Sequence, residues 1–173
     1  MKIFHAFSFT LLLLLCVGWH SANAQFQTVF IGVNGLTCSQ CSRTVEISIR
    51  KLDFVTDVQM NLEHTEGKII LKNGKKADME KIAQAVTDAG FSLRYLKADL
   101  TIDNSINTSG QCFNYKGDEY VFKEAPKQPL NGTLHLTFLG KKYQSKSEFK
   151  KVQPNMKNAC GANTTGKLYY VSL

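Results

Sequence analysis

The hydrophobic positions in the first half of the chain predict alternating strands and helices. Residues 28–33 are rich in Val, Ile and Phe and predict a largely buried strand, which ends at the Asn34-Gly35 turn signal. A helix is predicted over residues 39–52, because apolar side chains recur there at helical spacing, at Cys41, Val45, Ile49 and Leu52. The second of two closely spaced cysteines is therefore expected on the core-facing side of this helix.

Three further strands and a second helix follow. Partial alternation and turn signals predict strands over residues 54–62, 68–72 and 91–96. Before the last of these, Asp78 is a good N-cap and Gly90 a good terminator for a helix with apolar residues at helical spacing. The order strand, helix, strand, strand, helix, strand predicts an α+β fold, a ferredoxin-like βαββαβ sandwich.

The candidate chemistry lies in the loop Gly35-Leu36-Thr37-Cys38-Ser39-Gln40-Cys41, which enters the first helix. Ser39 can cap that helix, and the positive end of the helix dipole favours a thiolate at one of the cysteines. A Cys-x-x-Cys turn brings two sulfurs close enough to share a metal ion or to form a disulfide. The motif alone therefore leaves a metal site and a redox site equally open.

The flanking sequence favours metal binding. Residues 26–97 resemble a heavy-metal-associated domain, the module of copper chaperones, copper-pumping ATPases and the periplasmic mercury-binding protein. The loop from Gly35 to Cys41 matches the family's Gly-Met-Thr-Cys-x-x-Cys, and Asp88-Ala89-Gly90-Phe91 matches the end of its second helix. The resemblance implies that Cys38 and Cys41 are metal ligands and that Phe91 packs near their loop. Leu36 stands where the family usually has Met, a nearly volume-conserving exchange at an apolar anchor.

The ion expected between the two thiolates is copper(I), with mercury(II) as the alternative. No histidine or carboxylate stands in the motif, and zinc normally takes four ligands, whereas copper(I) and mercury(II) accept two thiolates. Copper ranks first only because exported chains meet copper more generally. No catalytic residue is assigned, and we expect the protein not to be an enzyme.

The second half, residues 98–173, predicts a small, mostly β domain of unknown function. Residues 100–110 are interpreted as linker or loop, and short strands are predicted over 111–115, 119–123, 133–139 and 167–172, with one helix over 147–152. Cys112 and Cys160 are an even pair and predict a disulfide in an exported chain. The alternative is a second metal site, which would need other ligands, and His135 stands alone on its strand.

The N-terminal residues predict export. Lys2, a short apolar block and Ala22-Asn23-Ala24 have the anatomy of a signal peptide over residues 1–24, with cleavage after Ala24 and a secreted or periplasmic product. A lipoprotein is disfavoured because Leu15 precedes Cys16. The remaining chain divides into 25–97 and 98–173 and has no apolar run long enough to span a bilayer, so no stable membrane insertion is expected.

The net charge of +7 is interpreted as a solvated basic surface on a monomer. No nucleic-acid partner is expected, because no arginine-rich stripe is interleaved with aromatic residues. The leading functional hypothesis is an exported protein that holds one soft ion and passes it to a metal-donor or metal-acceptor protein by ligand exchange. A thiol-disulfide oxidoreductase that uses the same cysteines is the alternative, and an adaptor that binds through its second half is a third hypothesis.

Overall fold

The computed structural model describes residues 24–106, 110–127, 129–152, 160 and 166–173. The predicted signal peptide, with its apolar block and Cys16, therefore lies outside the described residues except for Ala24.

Eight strands and three helices form within the described residues. The strands are β1 (Ala24–Asn34), β2 (Val55–Asn61), β3 (Glu66–Leu71), β4 (Ser92–Ile106), β5 (Cys112–Tyr115), β6 (Asp118–Phe122), β7 (Leu130–Leu139) and β8 (Leu168–Ser172). The helices are α1 (Ser39–Arg50), α2 (Met79–Asp88) and α3 (Lys146–Val152). Each element predicted from the hydrophobic pattern is present, and the largest differences are at the start of β1 and the end of β4.

All eight strands belong to one sheet, in the order β2-β3-β1-β4-β7-β8-β6-β5. The first four strands with α1 and α2 form the predicted ferredoxin-like βαββαβ unit, which confirms the α+β fold class. The second half is mostly β and continues the same sheet from β4. Its neighbouring strands are antiparallel, except that β6 and β8 are parallel.

The two helices of the first half bury one face each against this sheet. Val45 and Ile49 of α1 are fully buried, as are Ile82 and Val86 of α2, in the core that they share with the inner face of the strands. As predicted, Asp78 caps α2, where its carboxylate accepts the backbone N–H groups of the next turn. None of the described helices has the length and hydrophobicity needed to cross a membrane.

The strand β4 differs most from the prediction. The linker or loop predicted over residues 100–110 is wrong for residues 100–106, because β4 runs without a break from Ser92 to Ile106. Its inward residues Leu96, Ala98, Leu100 and Ile102 are at most 3% exposed. The predicted boundary between residues 97 and 98 lies inside this strand, where Lys97 and Ala98 pair with both β1 and β7. The division into two domains stays a prediction.

An aromatic core fills the second half of the sheet. The rings of Tyr120 and Tyr169 stack with centroids 5.2 Å apart, and Phe138 meets Tyr169 edge-on at 5.5 Å. Phe26, near the start of β1, meets the ring of Tyr115 edge-on at 5.3 Å. Because aromatic rings bury large apolar areas, this contact ties the first strand to the second half of the chain.

Ion pairs join the same two parts of the chain at the start of α2. The ammonium group of Lys167 lies 2.8 Å from a carboxylate oxygen of Asp78 and 3.0 Å from one of Glu80. Burial works to lower the pKa of Lys167, but hydrogen bonds to Asp78 and Glu80 outweigh it and raise that pKa. Nearby, the buried carboxylate of Asp118 lies 2.7 Å from the ammonium group of Lys76. A residue just before the last strand is thus held to the start of a helix in the first half.

Candidate metal centre

The cysteine loop connects the end of β1 to the start of α1. Gly35 has a φ of +85°, a conformation that residues with a Cβ rarely adopt, so glycine lets the chain turn out of the strand here. Leu36 is 3% exposed and belongs to the core, which confirms its predicted role as an apolar anchor. The turn at Gly35 and the buried side chain of Leu36 therefore position the loop, and Cys38 follows two residues after Leu36.

The residue that caps α1 is Cys38, so the prediction that Ser39 caps it is wrong. Cys38 has extended backbone angles, and its Sγ accepts the backbone N–H of Cys41 at 3.1 Å. Ser39 is already the first helical residue, and only the residue before it can direct a side chain at the free N–H groups of the first turn. A sulfur in this position gains from the positive end of the helix, which favours its thiolate form.

The two cysteines of the loop lie together at the start of the helix. Their Cα atoms are 5.2 Å apart and their sulfur atoms are in bonding contact. The side chain of Cys38 is exposed, whereas Cys41 is partly buried against the core, as the helical periodicity predicts. Cys38 is therefore accessible to an incoming molecule, whereas Cys41 is held by its contacts with the core.

An aromatic side chain supports the loop from the second helix. A Cβ added at Gly35 would lie 3.8 Å from Cδ1 of Phe91, and Phe91 packs against the core. Phe91 follows Gly90, whose φ of +89° ends the turn after α2. The structure thus places Phe91 beside the cysteine loop, as the family resemblance implies.

The carboxylates near α1 are held by arginines. Glu46 lies 2.7 Å from Arg50 and 3.0 Å from Arg43, and the hydrogen bond from Arg50 is the main cause of its lowered pKa. Arg50 also pairs with Asp57 at 2.6 Å. Within the described residues, no group of three closely spaced His, Cys, Asp or Glu ligand atoms includes Cys38 and Cys41. The loop therefore offers two soft ligands and no third one.

The second cysteine pair also comes together, and a carboxylate that the sequence alone does not connect with it lies nearby. The Cα atoms of Cys112 and Cys160 are 6.0 Å apart and their sulfur atoms are in bonding contact. One carboxylate oxygen of Glu119 lies within 4.8 Å of both sulfurs. Cys112 is paired with Val121 in the β5–β6 ladder, and Glu119 stands two residues before Val121, so Cys112 and Glu119 lie on the same face of the sheet. Their proximity depends on this strand pairing, which the sequence alone does not give.

His135 joins neither cysteine pair in a cluster of three ligand atoms among the described residues. Its side chain is 77% exposed on β7, where Nδ1 lies 2.7 Å from the carboxylate of Asp99 on β4. His135 is therefore a surface residue that is paired with Asp99.

Comparison with known proteins places the cysteine loop inside a recognised family segment. The heavy-metal-associated domain matches residues 30–92, so it includes Cys38 and Cys41 and ends at the start of β4. The strands β5 to β8 and the helix α3 lie outside the matched segment.

Two relatives match this chain over segments of similar length and at similar identity. The chain is 37% identical over 68 residues to the mercuric transport protein periplasmic component of Pseudomonas fluorescens, across 39% of this chain and 74% of that protein. It is 36% identical over 62 residues to the copper chaperone CopZ of Bacillus subtilis strain 168, across 35% of this chain and 87% of that protein. Among solved structures, oxidized MerP from Ralstonia metallidurans CH34 aligns at 32% identity and a TM-score of 0.36, across 40% of this chain and 99% of that one.

Proposed function

The chain belongs to the heavy-metal-associated domain family, and from this premise we propose that it is an exported carrier of one soft metal ion. Cys38 and Cys41 hold the ion as thiolates, and the protein, as a monomer, exchanges it with a metal-donor or metal-acceptor protein. Copper(I) ranks first as the ion and mercury(II) second. A mercuric transport protein and a copper chaperone are both among the relatives, which supports the class of ion but does not separate the two.

The observation that carries the proposal is the pair of adjacent sulfurs at the start of α1, which no His, Cys, Asp or Glu of the described residues joins as a third ligand. Soft thiolates select soft ions, and two of them satisfy copper(I) or mercury(II), whereas a zinc site normally has four ligands. The backbone N–H of Cys41, which now points at Sγ of Cys38, would stabilise the charge of that thiolate in the loaded protein.

Transfer follows from the low coordination number. An incoming thiolate of the partner adds to the ion first, and one sulfur of the loop then leaves, so the ion is never released into water. Cys38 is the exposed ligand and Cys41 the partly buried one, so we propose that Cys38 is exchanged first. The exchange requires no general acid or general base, because thiolates replace one another as ligands of the ion.

Export adds a requirement for reduction. A disulfide between Cys38 and Cys41, the arrangement that the structure shows, must take up two electrons from an external thiol reductant to give the two thiolates that bind the ion. We further propose that Cys112 and Cys160 form a structural disulfide, which their Cα separation of 6.0 Å permits.

The test is a copper(I) titration of the purified protein from residue 25 onward, with Cys38 and Cys41 reduced and the disulfide between Cys112 and Cys160 kept intact. We expect one ion per chain, and loss of stoichiometric binding when Cys38 and Cys41 are both replaced by serine. The matched control replaces Ser39 and Gln40 by alanine, which changes the same exposed turn but keeps both sulfurs. If the double cysteine variant still binds one ion, the site lies elsewhere.

The same titration ranks the two ions. Competition with a copper(I) chelator should show binding tighter than that of a simple dithiol. Affinity no better than a simple dithiol, together with much tighter mercury(II) binding, would reverse the ranking.

The oxidoreductase is the second candidate, favoured by the bonding contact between the sulfurs of Cys38 and Cys41. In that function the metal-free dithiol would reduce a substrate disulfide and become oxidised itself. Against it, Pro126 is the first proline of the chain, so no proline of the first half can lie opposite the motif. Disulfide exchange with a model substrate at rates well above those of a free thiol would favour this second candidate.

A further inference from the structure

A cleft of about 810 Å³ lies between α2 and residues 141–147, which run from the turn after β7 into the start of α3. Asn34 and Ser92 line it and are joined by a hydrogen bond of 3.3 Å. Asn34 directly precedes Gly35, and Ser92 directly follows Phe91. The lining thus includes the chain neighbours of Gly35, where the cysteine loop begins, and of Phe91, which lies beside that loop.

One wall of the cleft comes from outside the segment that matches the family. Ala83 and Thr87 of α2 form the side that belongs to the matched family segment, and residues 141–147 form the other side. Three contacts hold residues 141–147 in place. The ring of Tyr143 meets Phe138 at 5.8 Å, the backbone N–H of Ser145 donates to the Arg94 carbonyl at 3.2 Å, and Lys142 pairs with Glu80. The wall is thus anchored to the sheet and to α2.

All the charged side chains that line the cleft are lysines. Lys141, Lys142 and Lys146 line it, and none of its lining residues is acidic. Lys142 is neutralised by Glu80, but Lys141 and Lys146 are exposed and make no ion pair within the described part of the chain. The side-chain amide of Gln144 adds a further donor for a carboxylate, whereas the amide of Gln84 already donates to Asp88 at 2.7 Å.

We propose that this cleft receives an acidic segment of the protein that donates or accepts the metal ion. The proposal rests on the function proposed above and names the chemistry of the partner. The volume suits a peptide of several residues and far exceeds what a single carboxylate fills. A partner segment seated here would lie next to the loop that carries the exposed Cys38, so docking would bring the partner's own thiolates to the ion. Charge complementarity of this kind raises association rates and selects partners.

Direct binding is measured on the metal-free protein, with a fluorescent peptide of ten glutamates that contains no cysteine. The test variant is K141E/K146E, and the matched control K123E/K127E reverses two exposed lysines that also make no ion pair within the described residues. Both variants change the net charge equally. We expect K141E/K146E to weaken binding at least tenfold, the control to weaken it less than about threefold, and K141R/K146R to preserve it, since docked charges outweigh distant ones.

Equal losses in the two charge-reversal variants would overturn the proposal, because they would show binding to the general basic surface. Displacement of the peptide by inorganic phosphate or free glutamate at the peptide's own concentration would also overturn it, in favour of a site for small anions. Unchanged circular dichroism of K141E/K146E shows that the variant still folds.

A transfer assay connects the cleft to the ion. Two synthetic acceptors carry the same Cys-x-x-Cys sequence, one preceded by glutamates and the other by serines, and the rate of copper(I) transfer from the loaded protein is measured. We expect the acidic acceptor to react about tenfold faster at low salt, and K141E/K146E to remove this preference while it still loads one ion. Failure of the wild-type protein to load copper(I) would refute the proposed function, whereas loading without a preference for the acidic acceptor would refute only the docking.

Discussion

The hydroxyl group of Tyr120 allows a direct test of the aromatic core. The side chain is fully buried, and its oxygen has no hydrogen-bond partner among the described residues. Burial is the main cause that raises the pKa of this phenol far above its usual range. The replacement Tyr120→Phe removes the oxygen and keeps the ring, which stacks on Phe113 at 4.8 Å and on Tyr169 at 5.2 Å.

The expected result is a more stable protein. A buried polar group without a partner costs about 1–3 kcal/mol, so we expect Tyr120→Phe to raise the free energy of unfolding by about 1 kcal/mol. Tyr169→Phe is the matched control, since the hydroxyl of Tyr169 donates to Asp78 at 3.4 Å. Loss of that hydrogen bond should lower the free energy of unfolding by about 1 kcal/mol.

Urea unfolding followed by far-ultraviolet circular dichroism at pH 7 measures both changes, and a change of 1 kcal/mol corresponds to about 3 °C in Tm for a chain of this size. Alkaline pH gives an independent readout. Because the folded pKa of Tyr120 is raised, its contribution to stability is complete below the unfolded pKa near 10 and is lost as the pH rises above it. The advantage of Tyr120→Phe over the wild type should therefore grow above pH 10. A loss of stability in Tyr120→Phe equal to that in Tyr169→Phe would refute the assignment of an unpaired hydroxyl.

Three further predictions concern crosslinks, charge and backbone. Replacing Cys112 and Cys160 by serine should lower the free energy of unfolding by about 4 kcal/mol, because the disulfide would close a loop across a sequence separation of 48. Mass mapping without reductant should show the two cysteines linked, and free thiols at both positions would contradict the disulfide. Hydrogen bonds to Lys142 and then Lys167 lower the pKa of Glu80, so its contribution to stability is present above pH 4.5 and is lost as the pH falls through the folded pKa. Glu80→Gln should accordingly be less stable than the wild type by up to about 1 kcal/mol at pH 7 in urea unfolding, with a difference that shrinks toward pH 3. Gly35→Ala, which places a Cβ at a φ of +85°, should lower the melting temperature and weaken copper(I) binding, and an unchanged titration would show that the loop does not depend on this turn.

The sequence by itself determined the elements of the first half and the position of the candidate site. Helical and strand periodicities are local properties, so they located the buried faces of α1 and α2 and the partly buried Cys41. The spacing of Cys38 and Cys41 after a strand and a turn signal was likewise sufficient to place two sulfurs at a helix start. In the second half, turn signals were sufficient to find four strands and a short helix.

The tertiary structure decided how these elements join. Residues 100–110 predicted a linker or loop, in part because the stretch from Asn104 is rich in Ser and Asn. Residues 100–102 instead pair with both β1 and β7, and Leu100 and Ile102 are buried, so β4 continues. Strand partners are chosen by contacts between residues distant in sequence, which no local pattern records. For the same reason only the folded chain brings Glu119 to the second cysteine pair, and only the folded chain places residues 141–147 opposite α2 to form a basic cleft.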